Sequence, residues 1–115
     1  MQTDTLRLAL VQMNPTVGAL TANAARIEAA ARQAAAAGAQ VILFPELALC
    51  GYPPEDLVLK RHFLRACAGA CAELLPRLPP EPVILLGLPE VGPGGRAVNA
   101  LAVLHGGRQA GSYHK

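Results

Sequence analysis

The chain has 115 residues, 52% of them hydrophobic and 3% aromatic, a length that builds one modest domain with a core of Leu, Val, Ile and Ala. Its formal net charge is +2, and no dense run of lysine or arginine marks it as a binder of nucleic acid or of anionic lipid. The three cysteines, Cys50, Cys67 and Cys71, form an odd set without CxxC spacing, which argues against a disulfide framework or structural zinc and suits a reducing cytoplasm.

The opening MQTDTLRLALVQMNP has no basic leader, and Arg7 and Gln12 interrupt its apolar run, so neither a signal peptide nor a membrane span is expected. Residues 6–13 alternate and carry branched side chains, which predicts a strand ended by Asn14, Pro15 and Gly18. Residues 20–37 are alanine-rich around Ile27 and predict a helix, with Gly38 as its stop. VILF, residues 41–44, is a continuous apolar run that predicts a strand covered on both faces. Strand, helix, strand implies a parallel pair with a right-handed crossover.

Beyond the GYPP turn, Glu55 and Asp56 are placed where acids favour a helix N-terminus. Phe63, Cys67, Ala70 and Leu74 follow at helical spacing, and the helix is expected to end near Pro76. Residues 82–91 read as another apolar strand, GPGGR as a turn, and VNALAVLHGG as its hairpin partner. RQAGSYHK begins a fifth strand that stops without a turn or cap, so the sequence is expected to be truncated. The whole is α/β, a parallel start followed by an antiparallel portion.

Glu46 stands at the C-terminal end of an apolar strand, the usual place for a functional group in an open α/β sheet. Its apolar neighbours predict a pKa raised by desolvation, which suits a general base. A strand-end acid that is merely paired or solvated fits the same position. Cys50 is close to Glu46 along the chain, but closeness in sequence is not the geometry a nucleophile and base require, so it reads as a small side chain lining the loop. Cys67 and Cys71, four apart on the second helix, read as core. Asn99 reads as a strand or turn residue. His62, His105 and His114 are too scattered to suggest a metal, and GPGG lacks the strand-to-helix setting of a phosphate loop.

FPELALCGYPPEDL is more specific than any of these positions. It resembles a segment of the glutamine-hydrolysing domain of the glutamine-dependent NAD synthetases, a branch of the nitrilase, or carbon-nitrogen hydrolase, superfamily. LRLALVQMNPTVGAL with Asn23, GLPE, VNALAVLHGG and the final SYHK resemble other parts of that domain, so the similarity covers essentially the whole chain. The resemblance implies a nitrilase-like αββα sandwich, of which residues 1–115 are the N-terminal portion, a partial carbon-nitrogen hydrolase (glutaminase) domain without the synthetase domain. It implies that Glu46 is the general base and that Lys115 stabilises the oxyanion and the thiolate. The nucleophilic cysteine is expected beyond Lys115 and absent from this chain, and Tyr52 is implied near the glutamine pocket.

By the same resemblance the parent enzyme hydrolyses the glutamine amide through a cysteinyl thioester. Ammonia then passes to a synthetase domain that uses ATP and magnesium to convert nicotinic acid adenine dinucleotide to NAD. No cofactor is expected in this piece, which alone should complete neither half-reaction, and the full-length enzyme is expected to be a cytoplasmic homo-oligomer. Two other readings stay open: a nitrilase-family amidase acting on a small amide, and a noncatalytic fragment or assembly module.

Overall fold

A computed structural model describes residues 4–115. Five strands form one sheet in the order β1-β2-β3-β4-β5. They are β1 (Leu8–Leu10), β2 (Val41–Leu43), β3 (Val83–Val91), β4 (Ala97–His105) and β5 (Arg108–His114). β1, β2 and β3 run parallel, and β3-β4 and β4-β5 are antiparallel. The expected parallel start, hairpin and fifth strand are all present.

Two helices cover one face. α1 (Leu20–Ala36) buries Asn23, Ile27 and Ala31, one residue per turn, and its alanines supply intrinsic helix propensity where packing is thin. It stops at Gly38, whose φ of 89° is left-handed, with the Ala39 N–H reaching back to the Ala34 carbonyl. α2 (Arg61–Leu74) buries Phe63, Leu64, Cys67, Cys71 and Leu74 along its apolar stripe. Glu55 and Asp56 do not open this helix. They begin a separate 3-10 turn, Glu55–Leu59, because Lys60 is extended at φ −97° and ψ 120° and breaks the helical path before Arg61.

The main core lies between these helices and the sheet, with Ile42, Ile84, Leu86, Leu88, Ala102 and Leu104 pointing into it. The opposite face of the sheet is open, contrary to the expectation that the VILF strand is covered on both sides. Register places Leu8, Val41 and Val83 in one row and Leu10, Leu43, Leu85 and Val103 in the next. In these rows Leu8, Leu10 and Leu43 are exposed, since both helices pack on the other side. A continuous apolar run therefore built a strand whose two sides are both apolar but only one of which is covered. β1 is also shorter than its alternating pattern, although the Val11 N–H still bonds to the Leu43 carbonyl at 2.9 Å.

Candidate active site

Glu46 sits in the turn that follows β2, and this turn is held from several sides. Gly87 of β3 lies directly against it: a Cβ at Gly87 would come within 2.5 Å of both the Pro45 carbonyl oxygen and the Leu47 nitrogen. The Leu49 N–H bonds to the Gly87 carbonyl at 3.2 Å, and the Gly18 N–H bonds to the Cys50 carbonyl at 2.8 Å. Fully buried Asn23 ties the N-terminal loop to the same turn. Its Oδ1 accepts from the Thr16 N–H at 2.9 Å, and its Nδ2 donates to the carbonyls of Thr16 at 2.8 Å and Leu49 at 3.0 Å. Leu47, next to Glu46, has a φ of 51°, a left-handed conformation that costs a non-glycine residue about 1–2 kcal/mol. The surrounding bonds hold it there.

On the open face of the sheet Glu46 meets two donors from the β4-β5 hairpin. Asn99 Nδ2 donates to Glu46 Oε1 at 2.7 Å, and Lys115 Nζ donates to the same oxygen at 3.2 Å across 69 residues of sequence. The ladder explains the meeting. Ala100 pairs with His114, so Lys115 comes opposite Asn99, and the Lys115 N–H bonds to the Asn99 carbonyl at 2.9 Å. On the other face Glu90 accepts from Ser112 Oγ at 2.8 Å and faces His114 Nε2 at 3.2 Å, which anchors the end of an otherwise exposed strand.

Leu43, Phe44, Gly87, Leu101 and Tyr113 complete a pocket of about 400 Å³ around Glu46, Asn99 and Lys115. The Lys115 side chain is 74% exposed and that of Glu46 41%. An ion pair so open to water contributes little to stability. The Glu46 carboxyl is held below the usual carboxylate range, first by the Asn99 hydrogen bond and then by the one from Lys115, with desolvation opposing them. This corrects the expectation of a raised pKa: the apolar neighbours in sequence are largely turned into the core, and the carboxylate itself reaches into the open pocket.

Tyr52 is 62% exposed and is not among the residues lining this pocket, whereas Tyr113 is. Cys50 is fully buried in a small cluster with Leu47, Phe63 and Cys67 and faces away from the pocket. The Cys67 thiol is pushed up by its hydrogen bond with Cys50 and by burial. Cys71, in the main core, is pushed up to about 11 by burial and, secondarily, by the charge of Glu90. Buried thiols of this kind are inert packing groups. Among the described residues no group of three or more His, Cys, Asp or Glu gathers as a set of metal ligands.

Asn99 and Gly87 are the residues sequence reasoning passed over. In VNALAVLHGG the side chains of Ala100, Ala102 and Leu104 are buried, so strand alternation puts Asn99 on the opposite face with Leu101 and Val103. A lone amide in that apolar row was the available signal.

The scaffold is a two-layer α/β sheet with an acid-lysine pair at the mouth of a pocket. Residues 7–115 match the carbon-nitrogen hydrolase family model, and the chain belongs to that family. A glutamine-dependent NAD(+) synthetase from Rhodobacter capsulatus is 45% identical over 106 residues, which is 92% of this chain and 19% of the relative. The crystal structure of a glutamine-dependent NAD(+) synthetase from Cytophaga hutchinsonii superposes with a TM-score of 0.89 at 26% identity, covering 97% of this chain and 19% of that one. An amidase of the nitrilase superfamily from Nesterenkonia superposes with a TM-score of 0.77 at 25% identity, covering 96% of this chain and 42% of that one. The chain spans 14% to 20% of the length of the first curated relatives it matches.

Proposed function

We propose that this chain supplies the base and the lysine of a glutamine-hydrolysing site that delivers ammonia for NAD synthesis. The observation that carries the reading is the convergence of Glu46 and Lys115 on one oxygen, at 3.2 Å, inside a pocket. Glu46 takes the proton of a cysteine thiol contributed by sequence outside this chain. The thiolate attacks the glutamine side-chain carbonyl, and the oxyanion is stabilised by the Lys115 ammonium. Collapse of the adduct breaks the C–N bond, Glu46 returns the proton to the leaving nitrogen, and ammonia departs. Water activated by Glu46 then hydrolyses the thioester to glutamate and free thiol. Tyr52 joins the site only through its implied role in orienting substrate. The synthetase domain, with ATP and magnesium, is the partner that consumes the ammonia. A homo-oligomeric parent enzyme fits the family, and three free cysteines support a cytoplasmic location.

The test is a chimera in which this chain replaces the matching segment of the Rhodobacter capsulatus relative. Glutamine-dependent NAD formation is expected, and Glu46→Gln should lower it by about 10²–10⁴-fold while synthesis from added ammonia persists. Equal loss of both activities, or none, refutes the reading. The superposition on the Nesterenkonia amidase favours one alternative, a small-amide hydrolase. A chimera that hydrolyses small amides but not glutamine would select it, and a chimera inert to every amide would select a noncatalytic module.

A further inference from the structure

Asn99 has no role in the chemistry just proposed, yet it makes the shortest hydrogen bond to the carboxylate at its centre. Its Nδ2 lies 2.7 Å from Glu46 Oε1, against 3.2 Å for Lys115 Nζ. The two donors also differ in rigidity. Lys115 is a long side chain, 74% exposed, whereas Asn99 is a short one on a paired strand, opposite Pro89 of β3, with its own carbonyl holding the Lys115 N–H. Both bonds end on Oε1. Oε2 accepts no hydrogen bond from the described residues. An amide adds a fixed donor without adding a second group that titrates.

We propose that Asn99 is a positioning residue: together with Lys115 it holds Oε1 of Glu46 and thereby reserves Oε2 as the oxygen that exchanges the proton during amide hydrolysis. The inference rests on Glu46 being the base. Asn99 fixes the rotation of the carboxylate and keeps it ionised, because its hydrogen bond is offered to the charged form. Around Glu46 the other polar groups lining the pocket are the Lys115 ammonium and the Tyr113 phenol, and Leu43, Phe44, Gly87, Ala100 and Leu101 are apolar or carry no side chain.

The test is a ¹³C NMR titration of the Glu46 carboxyl in the 115-residue chain, its resonance assigned by loss in Glu46→Gln. Asn99→Leu keeps the branched shape and removes the donor, so the Glu46 midpoint should move up, as it should in Lys115→Met. Asn99→Asp keeps the shape and brings a like charge to the same oxygen, which should move the midpoint higher still and also serves if the leucine variant does not fold. An unmoved midpoint in the folded variants overturns the inference. In the chimera, Asn99→Leu should lower kcat for glutamine by about 10–100-fold, the loss of one charge-assisted bond, with KM little changed. If Glu46→Gln is inactive and Asn99→Leu keeps full kcat, the assignment of Asn99 fails alone. If Glu46→Gln remains active, it is the base assignment that fails.

Discussion

Gly87→Ala tests how the fold places Glu46. The added Cβ would stand 2.5 Å from the Pro45 oxygen and the Leu47 nitrogen and 3.0 Å from the Glu46 carbonyl carbon, all backbone atoms, where ordinary contact begins at 3.4 Å. Backbone on both sides leaves no flexible side-chain end to yield, so the turn and β3 must separate by about 0.9 Å, at a cost of ~1–3 kcal/mol of overpacking. A shift of that size along the 2.7 Å bond to Asn99 lengthens it to about 3.6 Å, where it no longer counts as a hydrogen bond. Two readouts follow from one substitution. Urea unfolding followed by circular dichroism should show the destabilisation, and the Glu46 carboxyl should titrate higher as its main stabilising donor retreats. Gly69→Ala is the control: Gly69 lies exposed in α2 with nothing within 4 Å of its added Cβ, and the change should stabilise by ~0.5–1 kcal/mol through helix propensity. A Gly87→Ala chain within ~0.5 kcal/mol of the parent, with the Glu46 titration unmoved, would refute the steric argument.

Asn23→Ala should cost ~2–4 kcal/mol in the same urea assay, since it abandons the Thr16 N–H and two carbonyls around a fully buried position; a loss below ~0.5 kcal/mol would mean the loop finds other partners. The buried cysteines should resist iodoacetamide at neutral pH in the folded chain and all react in denaturant, and rapid native labelling of any one would contradict its burial. Cys71 adds a pH dependence. Its folded pKa of about 11 lies above the unfolded thiol value, so its contribution to stability is complete below that unfolded value and is lost as pH rises through about 11. The urea midpoint should therefore fall on the alkaline side by more in the parent than in Cys71→Ala, and a gap between the two that does not change with pH would exclude the linkage.

The elements themselves were legible because each carries its own period: alanine-rich helix, branched strands, a GPGGR turn between two apolar runs. What could not be read was which side of each strand is covered. VILF looks alike from either side, and only the location of both helices on one face leaves Leu43 exposed while Ile42 is sealed. The start of α2 was misplaced for a local reason, since acids at Glu55 and Asp56 mark any helical beginning, including a 3-10 turn that Lys60 ends. Glu46 and Lys115 were brought together by family resemblance; nothing in their spacing predicts contact across 69 residues. For Asn99 the sequence offered only a lone amide in an apolar row; its contact with Glu46 comes from the register of β4 against β5 and the approach of the β2 turn over Gly87, both tertiary facts.

The electrostatics of Glu46 show why the ionisation of a carboxyl group is misjudged from its neighbours in sequence. Two effects oppose each other at the carboxyl: hydrogen bonds from Asn99 and Lys115 lower its pKa, and desolvation raises it. The first is built into the hairpin and stays whatever surrounds the pocket. The second scales with how much water the pocket retains, and here the carboxylate is 41% exposed beside an uncovered apolar face with Leu8 and Leu10 open to solvent. Leu8 and Leu10 are 57% and 71% exposed, so each stands to gain ~1–2 kcal/mol from burial of what remains open, and a cover that reaches Glu46 strengthens its desolvation while leaving its donors in place. Substrate entering the pocket acts in the same direction by expelling water. In the mechanism proposed above, Glu46 therefore starts ionised in the open pocket and becomes more basic as the pocket dries, which is the order a proton transfer from a thiol requires.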